Sequence, residues 1–175
     1  MQFKITIPVL ITITFLLTSI LKAQQIGTEI GDIAPEIELK NPDGKEITLS
    51  SLKGKIVVVD FWASWCIPCI KTNAILVKAY KKYKDKKFTN GQGFTILSVS
   101  LDRSKTNWVN AIKHDKLIWQ NHVSSLKFWD CPVAGKYRIE TIPFSVVIDG
   151  NGVIIARLNS LKDLDRLLSS YLKVN

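Results

Sequence analysis

A β-branched run, Val57-Val58-Val59, passes through Asp60-Phe61-Trp62-Ala63-Ser64-Trp65 into Cys66-Ile67-Pro68-Cys69, and an apolar-periodic segment opens at the second cysteine. No other stretch constrains the chain so tightly. The run reads as a buried strand and the periodic segment as a helix, so the two cysteines stand at a strand-to-helix turn. A thiol at a helix N-terminus faces unpaired backbone N–H groups and the positive end of the dipole, which favour its thiolate. Cys66 is therefore the expected nucleophile. Cys69, one helical turn on, is close enough to close a small disulfide ring, so the pair can cycle between dithiol and disulfide. The competing reading is half of a structural zinc site, whose ligands usually come as two such pairs. Only Cys131, His114 and His122 remain to complete one, none at zinc-finger spacing, so the expectation is a redox pair and no metal.

At 175 residues the chain suits one core and is short for two. Apolar residues make up 46%, and 9 Gly with 6 Pro are too few for a disordered or low-complexity chain. The first residues read as an address: a short positive start at residues 1–4, a nearly wholly apolar run at residues 5–21, then Lys22-Ala23-Gln24. Residues 1–23 are expected to be an export signal cut after Ala23, leaving residues 24–175 as a single domain. An uncleaved membrane anchor is the alternative, because the 17 residues of the run reach the lower limit for spanning a bilayer. Without Lys4 and Lys22 the 24 basic residues become 22 against 15 acids, a charge of +7. Seven of these lysines lie between Lys71 and Lys87, along one expected helix and just past its end. A solvated face with cations near the helix C-terminus accounts for them, and docking to an acidic partner or anionic head groups is the alternative. An exported protein with no aromatics interleaved in its basic run is not expected to bind nucleic acid.

Further along, residues 33–40 and 46–49 alternate apolar and polar around the turn Asn41-Pro42-Asp43-Gly44, which predicts a hairpin. The core strand covers residues 56–61, and the helix from Cys66 should run to about Lys84 with Ile70, Ala74, Val77 and Tyr80 facing inward. Residues 94–101 read as a second buried strand. Ser104 is the expected N-cap of a helix reaching His114, with Trp108 and Ile112 inward. Residues 116–133 carry no firm period, and a short helix is expected at residues 133–137. Two strands, residues 144–148 and 153–158, flank Asp149-Gly150-Asn151-Gly152 as a hairpin. Ser160 with Asp163 signals a last helix, striped by Leu161, Leu164, Leu168 and Tyr171.

The Trp65-Cys66-Ile67-Pro68-Cys69 stretch closely resembles the thioredoxin active site, and Thr141-Ile142-Pro143 before a strand matches the cis-proline loop of that fold. Gly31-Asp32-Ile33-Ala34-Pro35, the hairpin, and Leu52-Lys53-Gly54-Lys55 are similar to the N-terminal extension of the TlpA/ResA group of extracytoplasmic thioredoxin-like proteins. The resemblance implies an α/β thioredoxin fold: a central mixed sheet flanked by helices, with residues 31–50 as an N-terminal β-hairpin extension. It implies a thiol:disulfide oxidoreductase working in the periplasm or otherwise outside the cytoplasm on protein disulfides or dithiols. A membrane or periplasmic thiol would supply electrons, and the redox-active disulfide Cys66–Cys69 would be the working group with no separate cofactor. Ile142 before the proline leans toward a reductase by its likeness to thioredoxin. An oxidase or isomerase is the alternative, as is a non-enzymatic module with a structural disulfide. The Pro-Xaa-Xaa-Xaa-Thr-Xaa-Xaa-Cys arrangement of peroxiredoxins is absent.

Asp60 falls inside an apolar strand, where a bare carboxylate costs several kcal/mol of desolvation and so tends to hold a proton. The resemblance makes it the proton-transfer partner of the resolving Cys69, with a carboxylate satisfied by backbone donors and without a catalytic role as the alternative. Trp62 and Trp65 are expected to cover the site, and Pro68 to set the helix start. Trp65, Ile67, Pro68, Ile142 and Pro143 are the substrate-contacting residues, with a cis Ile142–Pro143 bond and the Ile142 backbone pairing with an extended substrate. Phe144 replaces the small or hydroxylated residue usual after this proline. The helix stretch Ile70-Lys71-Thr72-Asn73-Ala74 lacks the Glu and Pro common in TlpA/ResA helices, so a role in haem-protein maturation is not inherited. Cys131 is expected to be a buried, inert thiol, with a regulatory or intermolecular disulfide as the alternative.

Overall fold

The computed structural model describes residues 25–173, so the expected signal at residues 1–23 lies outside the described residues. Strand β3 (Ile56–Trp62) is buried along its whole length, which is what a continuous apolar run demands of a strand covered on both faces. It pairs parallel with β6 (Phe94–Ser100) and antiparallel with β8 (Phe144–Ile148). Three more strands at the edges of this core, β1 (Glu38–Lys40), β2 (Glu46–Thr48) and β9 (Ile154–Leu158), join β7 (Asn121–Ser124) to complete a mixed sheet in the order β2-β1-β7-β6-β3-β8-β9. A separate two-stranded ribbon, β4 (Lys87–Phe88) with β5 (Gly91–Gln92), follows the long helix. The helices are α1 (Ile67–Tyr83), α2 (Lys105–His114), α3 (Pro132–Lys136) and α4 (Leu164–Ser170). This is the thioredoxin-like arrangement that the resemblance implies, with the hairpin extension at one edge.

The extension strands are shorter than their alternation suggests: Leu39 stands opposite Ile47, but Ile33 instead bridges to Ile26 and Val153. Strand β7 attaches the extension to the sheet, lying parallel to β6 and touching β1 at Lys40 and Ser124. Its Asn121-His122-Val123-Ser124 has no strand-like alternation because His122 and Ser124 are buried polar residues, His122 with its Nδ1 left without a partner among the described residues. Ser124 Oγ donates to the Ser100 carbonyl at 2.8 Å and His122 Nε2 to that of Leu117 at 3.3 Å. Burial pushes His122 down to about 4, so its ring is neutral at pH 7. In the β8–β9 turn, a side chain at Gly150 would meet the Asn90 carbonyl at 2.7 Å, so only glycine allows the close backbone approach there.

Two helix readings need correction. The buried face of α1 is Cys69, Asn73, Leu76, Ala79 and Tyr83, while Ile70 and Ala74 are exposed and Val77 and Tyr80 only half-buried. One residue of shift turns a helix face by about 100°, and the stripe read from the sequence follows apolar type where burial follows the placement of Cys69. Helix α4 starts at Leu164 with Asp163 before it, not at Ser160, although Leu161, Leu164 and Leu168 are buried as the stripe requires. By contrast α2 begins at Ser104 as expected, its Oγ accepting the Asn107 amide at 3.3 Å, and Trp108 is buried.

Candidate active site at the first turn of the long helix

Parallel strands β3 and β6 end side by side, and the crevice beyond their carboxyl ends is where a sheet of this kind offers a site. The chain leaves β3 through Ala63-Ser64-Trp65 and enters α1 at Cys66. Asp102, just past β6 and almost fully buried, pins this turn. Its Oδ2 accepts the Ser64 amide at 3.0 Å and the Ser100 hydroxyl at 2.7 Å, and its Oδ1 accepts the Ser64 hydroxyl at 2.6 Å. A carboxylate with three donors is satisfied without solvent and holds the turn that aims Trp65 and Cys66. Sequence reasoning passed over Asp102; an acid directly after a buried strand was its signal.

Cys66 and Cys69 are joined in a disulfide with sulfurs 2.05 Å apart. Cys66 is the N-cap of α1: its Sγ accepts the Cys69 amide at 3.3 Å, and Pro68 stands in the first turn, where its missing N–H costs nothing. Cys69 lies fully inside against the sheet. Around the pair the surface is open and apolar, with Trp65, Ile67 and Ile70 45, 75 and 47% exposed. Trp62, by contrast, is buried in the core, so of the two tryptophans only Trp65 stands exposed beside the pair.

Trp65 has two aromatic neighbours that the sequence reading did not single out. Phe128 and Trp129, in a short 3-10 turn at Phe128–Asp130, have ring centroids 5.1 and 6.5 Å from that of Trp65, and the Arg103 guanidinium lies over Phe128. They belong to the stretch without a period; adjacent aromatics in an irregular loop were the available signal.

Asp60 sits midway along β3 with no solvent exposure, in register with Ser98 of β6 and Ser145 of β8, so all three side chains project from one face of the sheet. That face is the one α1 covers, since Trp119 donates its Nε1 to Ser98 Oγ at 3.0 Å and packs on Tyr80 of α1. Ser145 Oγ donates to Asp60 Oδ1 at 2.9 Å, while Oδ2 has no partner among the described residues. Burial pushes the Asp60 carboxyl up to about 7, against the smaller lowering effect of the Ser145 hydroxyl.

The Ile142–Pro143 bond is cis. Phe61 of β3 pairs with Phe144 of β8, and continuing that antiparallel register sets Pro143 beside Trp62, where the chain turns toward Cys66. Ile142 is half-buried against the core. Cys131 is buried at the start of α3 with a free thiol, and among the described residues no group of three or more His, Cys, Asp or Glu is placed to hold a metal.

Fold and site together define a thioredoxin-like protein with a two-cysteine centre at a helix start. The chain belongs to the AhpC/TSA family, whose model matches residues 30–163. Among curated relatives, the thiol-disulfide oxidoreductase ResA of Bacillus cereus is 29% identical over 130 residues, covering 74% of this chain and 69% of that one. Among solved structures, the C-terminal domain of a Bacteroides thetaiotaomicron protein assigned as a thiol-disulfide oxidoreductase superposes with a TM-score of 0.74 at 34% identity, covering 82% of this chain and 96% of that one. The thioredoxin domain of a Bacteroides vulgatus thiol-disulfide oxidoreductase gives 0.69 at 34% identity, with 80% and 98% covered. The protein is a thiol-disulfide oxidoreductase of the thioredoxin-like class, and protein disulfides are the substrates this class implies.

Proposed function

We propose that the protein reduces protein disulfides outside the cytoplasm, with Cys66 as nucleophile, Cys69 as resolving thiol and Asp60 as the group that carries the proton. The observation that carries the reading is the helix end: Cys66 Sγ already accepts the Cys69 amide, and the same N–H and dipole favour a thiolate there once the disulfide is opened. The Cys66 thiolate attacks one sulfur of the substrate disulfide, joining the two chains and expelling the other substrate sulfur as a thiolate. Asp60, ionised, takes the proton of Cys69. The Cys69 thiolate then attacks Cys66 Sγ, forming the Cys66–Cys69 bond as the bond to substrate breaks, and the second substrate sulfur leaves and collects a proton. Two electrons pass to the substrate, and an extracytoplasmic thiol donor restores the dithiol.

Trp65, Ile67, Pro68 and the Ile142–Pro143 loop contact the substrate, whose extended backbone pairs with that of Ile142. Export is supported by the apolar run at residues 5–21. Among the described residues no helix is long and apolar enough to cross a membrane. The test is trapping: Cys69→Ser expressed in the native host should accumulate a mixed disulfide through Cys66. The captured partner should be more oxidised in a strain lacking this protein; a partner found more reduced there would reverse the direction to oxidase.

A further inference from the structure

Trp65 is a ridge between two surfaces. On one side stand Phe128 and Trp129. On the other a cleft of about 460 Å³ opens between the start of α1 and the face of α2, walled by Trp65 and Ile70 on one side and by Asn107, Asn110 and His114 on the other, with Asp115 at its end. It is shallow and wide open to solvent, a shape for a chain laid across it rather than for an enclosed small molecule. Trp65 and Ile70 are the chain neighbours of Cys66 and Cys69, so the cleft opens beside the segment that carries the disulfide.

The width of the cleft is held from inside. Asn73, buried on the inner face of α1 one turn after Cys69, donates its Nδ2 to Asp115 Oδ2 at 2.7 Å, and His114 Nδ1 meets Asp115 Oδ1 at 2.8 Å. This bond ties the end of α2 to the helix that carries the cysteines. Asn107, Asn110 and His114 are spaced three and four apart and share a face of α2. Both asparagine carboxamides are exposed and pair with no other side chain among the described residues.

We propose that this cleft is a subsite for the extended polypeptide flanking the substrate's cysteine, and the inference rests on the oxidoreductase reading of Cys66. A carboxamide both donates and accepts, so two of them on successive turns match the alternating N–H and C=O of a peptide backbone. Trp65 and Ile70 supply apolar contact for the side chain next to the substrate cysteine. His114 is paired with Asp115, so among the described residues the wall offers no free cation and the cleft suits an uncharged backbone with an apolar side chain rather than an anion.

Simple disulfide exchange tests the subsite without reference to the direction of electron flow. In a Cys69→Ser background, Cys66 attacks either Ellman's reagent or a nonapeptide whose single cysteine, flanked by leucine, is capped as the mixed disulfide with thionitrobenzoate. In each case one sulfur–sulfur bond replaces another and coloured thionitrobenzoate leaves as the thiolate. Adding Asn107→Ala and Asn110→Ala removes two backbone hydrogen bonds on an exposed face and should lower the second-order rate with the capped peptide about tenfold, leaving that with Ellman's reagent unchanged. Glutamine at both positions should restore part of the loss. Equal peptide rates with and without the two asparagines overturn the subsite, and so does an equal fall with both reagents. Insulin reduction by wild-type protein reads the reductase proposal separately, since its failure would leave the exchange result standing.

Discussion

The inner and outer sides of the Cys66–Cys69 disulfide are built to opposite rules. Inside, Cys69, Asp60, Ser145 and Asn73 are buried, and every polar group is either paired or, like Asp60 Oδ2 and Asn73 Oδ1, left without a partner among the described residues. Outside, Trp65, Ile67, Ile70 and Trp129 stay open to solvent at an apolar cost that monomeric surfaces usually avoid. A low dielectric raises the proton affinity of an acid and is of use only where water is excluded, whereas recognition needs side chains that remain uncovered until a partner arrives. On the proposed mechanism, proton handling falls to the inner side and substrate selection to the outer.

The division breaks most sharply at the cysteines themselves. Cys66→Ser should lose all disulfide reductase activity above background, while Cys69→Ser keeps the first attack and stalls as a mixed disulfide. Alkylation near neutral pH that labels Cys69 before Cys66 would reverse inner and outer sides.

Asp60→Asn should slow release of the mixed disulfide about a hundredfold and leave the first attack unchanged, since only release needs Cys69 deprotonated. In wild type that release step should accelerate as pH rises through about 7, where Asp60 ionises. Stability runs the other way. The folded-state value of about 7 lies above the ordinary 3.8, so the folded protein holds this proton more tightly and loses stability as pH rises from about 4 through 7. The full loss is on the order of 4 kcal/mol. Asparagine carries no such penalty, so thermal melts should show Asp60→Asn gaining on wild type between pH 5 and pH 8; a constant difference across that range would mean an unshifted acid.

On the outer side, Trp129→Ala should raise KM for protein disulfides roughly three- to tenfold with kcat unchanged, the loss of one aromatic contact beside Trp65. A fall in kcat at constant KM would move Trp129 into the chemistry. The smallest effect belongs to Ser145→Ala, which removes the one hydroxyl that favours ionised Asp60. The midpoint of the release step should move upward by less than about one pH unit, and Ser145→Thr should restore it. A midpoint that does not move would make Ser145 a packing residue only.

The inner side was the more legible of the two. Asp60 stands out because an acid within a β-branched run has few reasons to be there, and Cys66, Cys69 and Pro68 carry helix-end chemistry in their spacing. Pro143 was readable as a strand start. The outer side was read only in part: Trp65 and Ile67 were named, but Phe128 and Trp129 lie in a stretch where no period exists to read. Ile70 was assigned inward because it is apolar, but the buried face of the helix runs through Cys69 and Asn73, which turns Ile70 outward onto the cleft wall.

What the chain settled by itself is local: a strand that must be buried on both faces, a cysteine at a helix start, and a proline that cannot sit mid-ladder. Each follows from hydrogen-bond geometry and helix-end electrostatics acting within about a dozen residues. What only the tertiary structure decided is carried by contacts between distant segments. Ser64 meets Asp102 across 38 residues, Asn73 meets Asp115 across 42, and Asp60 meets Ser145 across 85. Such pairings have no period along the chain, because they depend on which strands lie side by side and in what register, and that is set by the packing of the whole sheet.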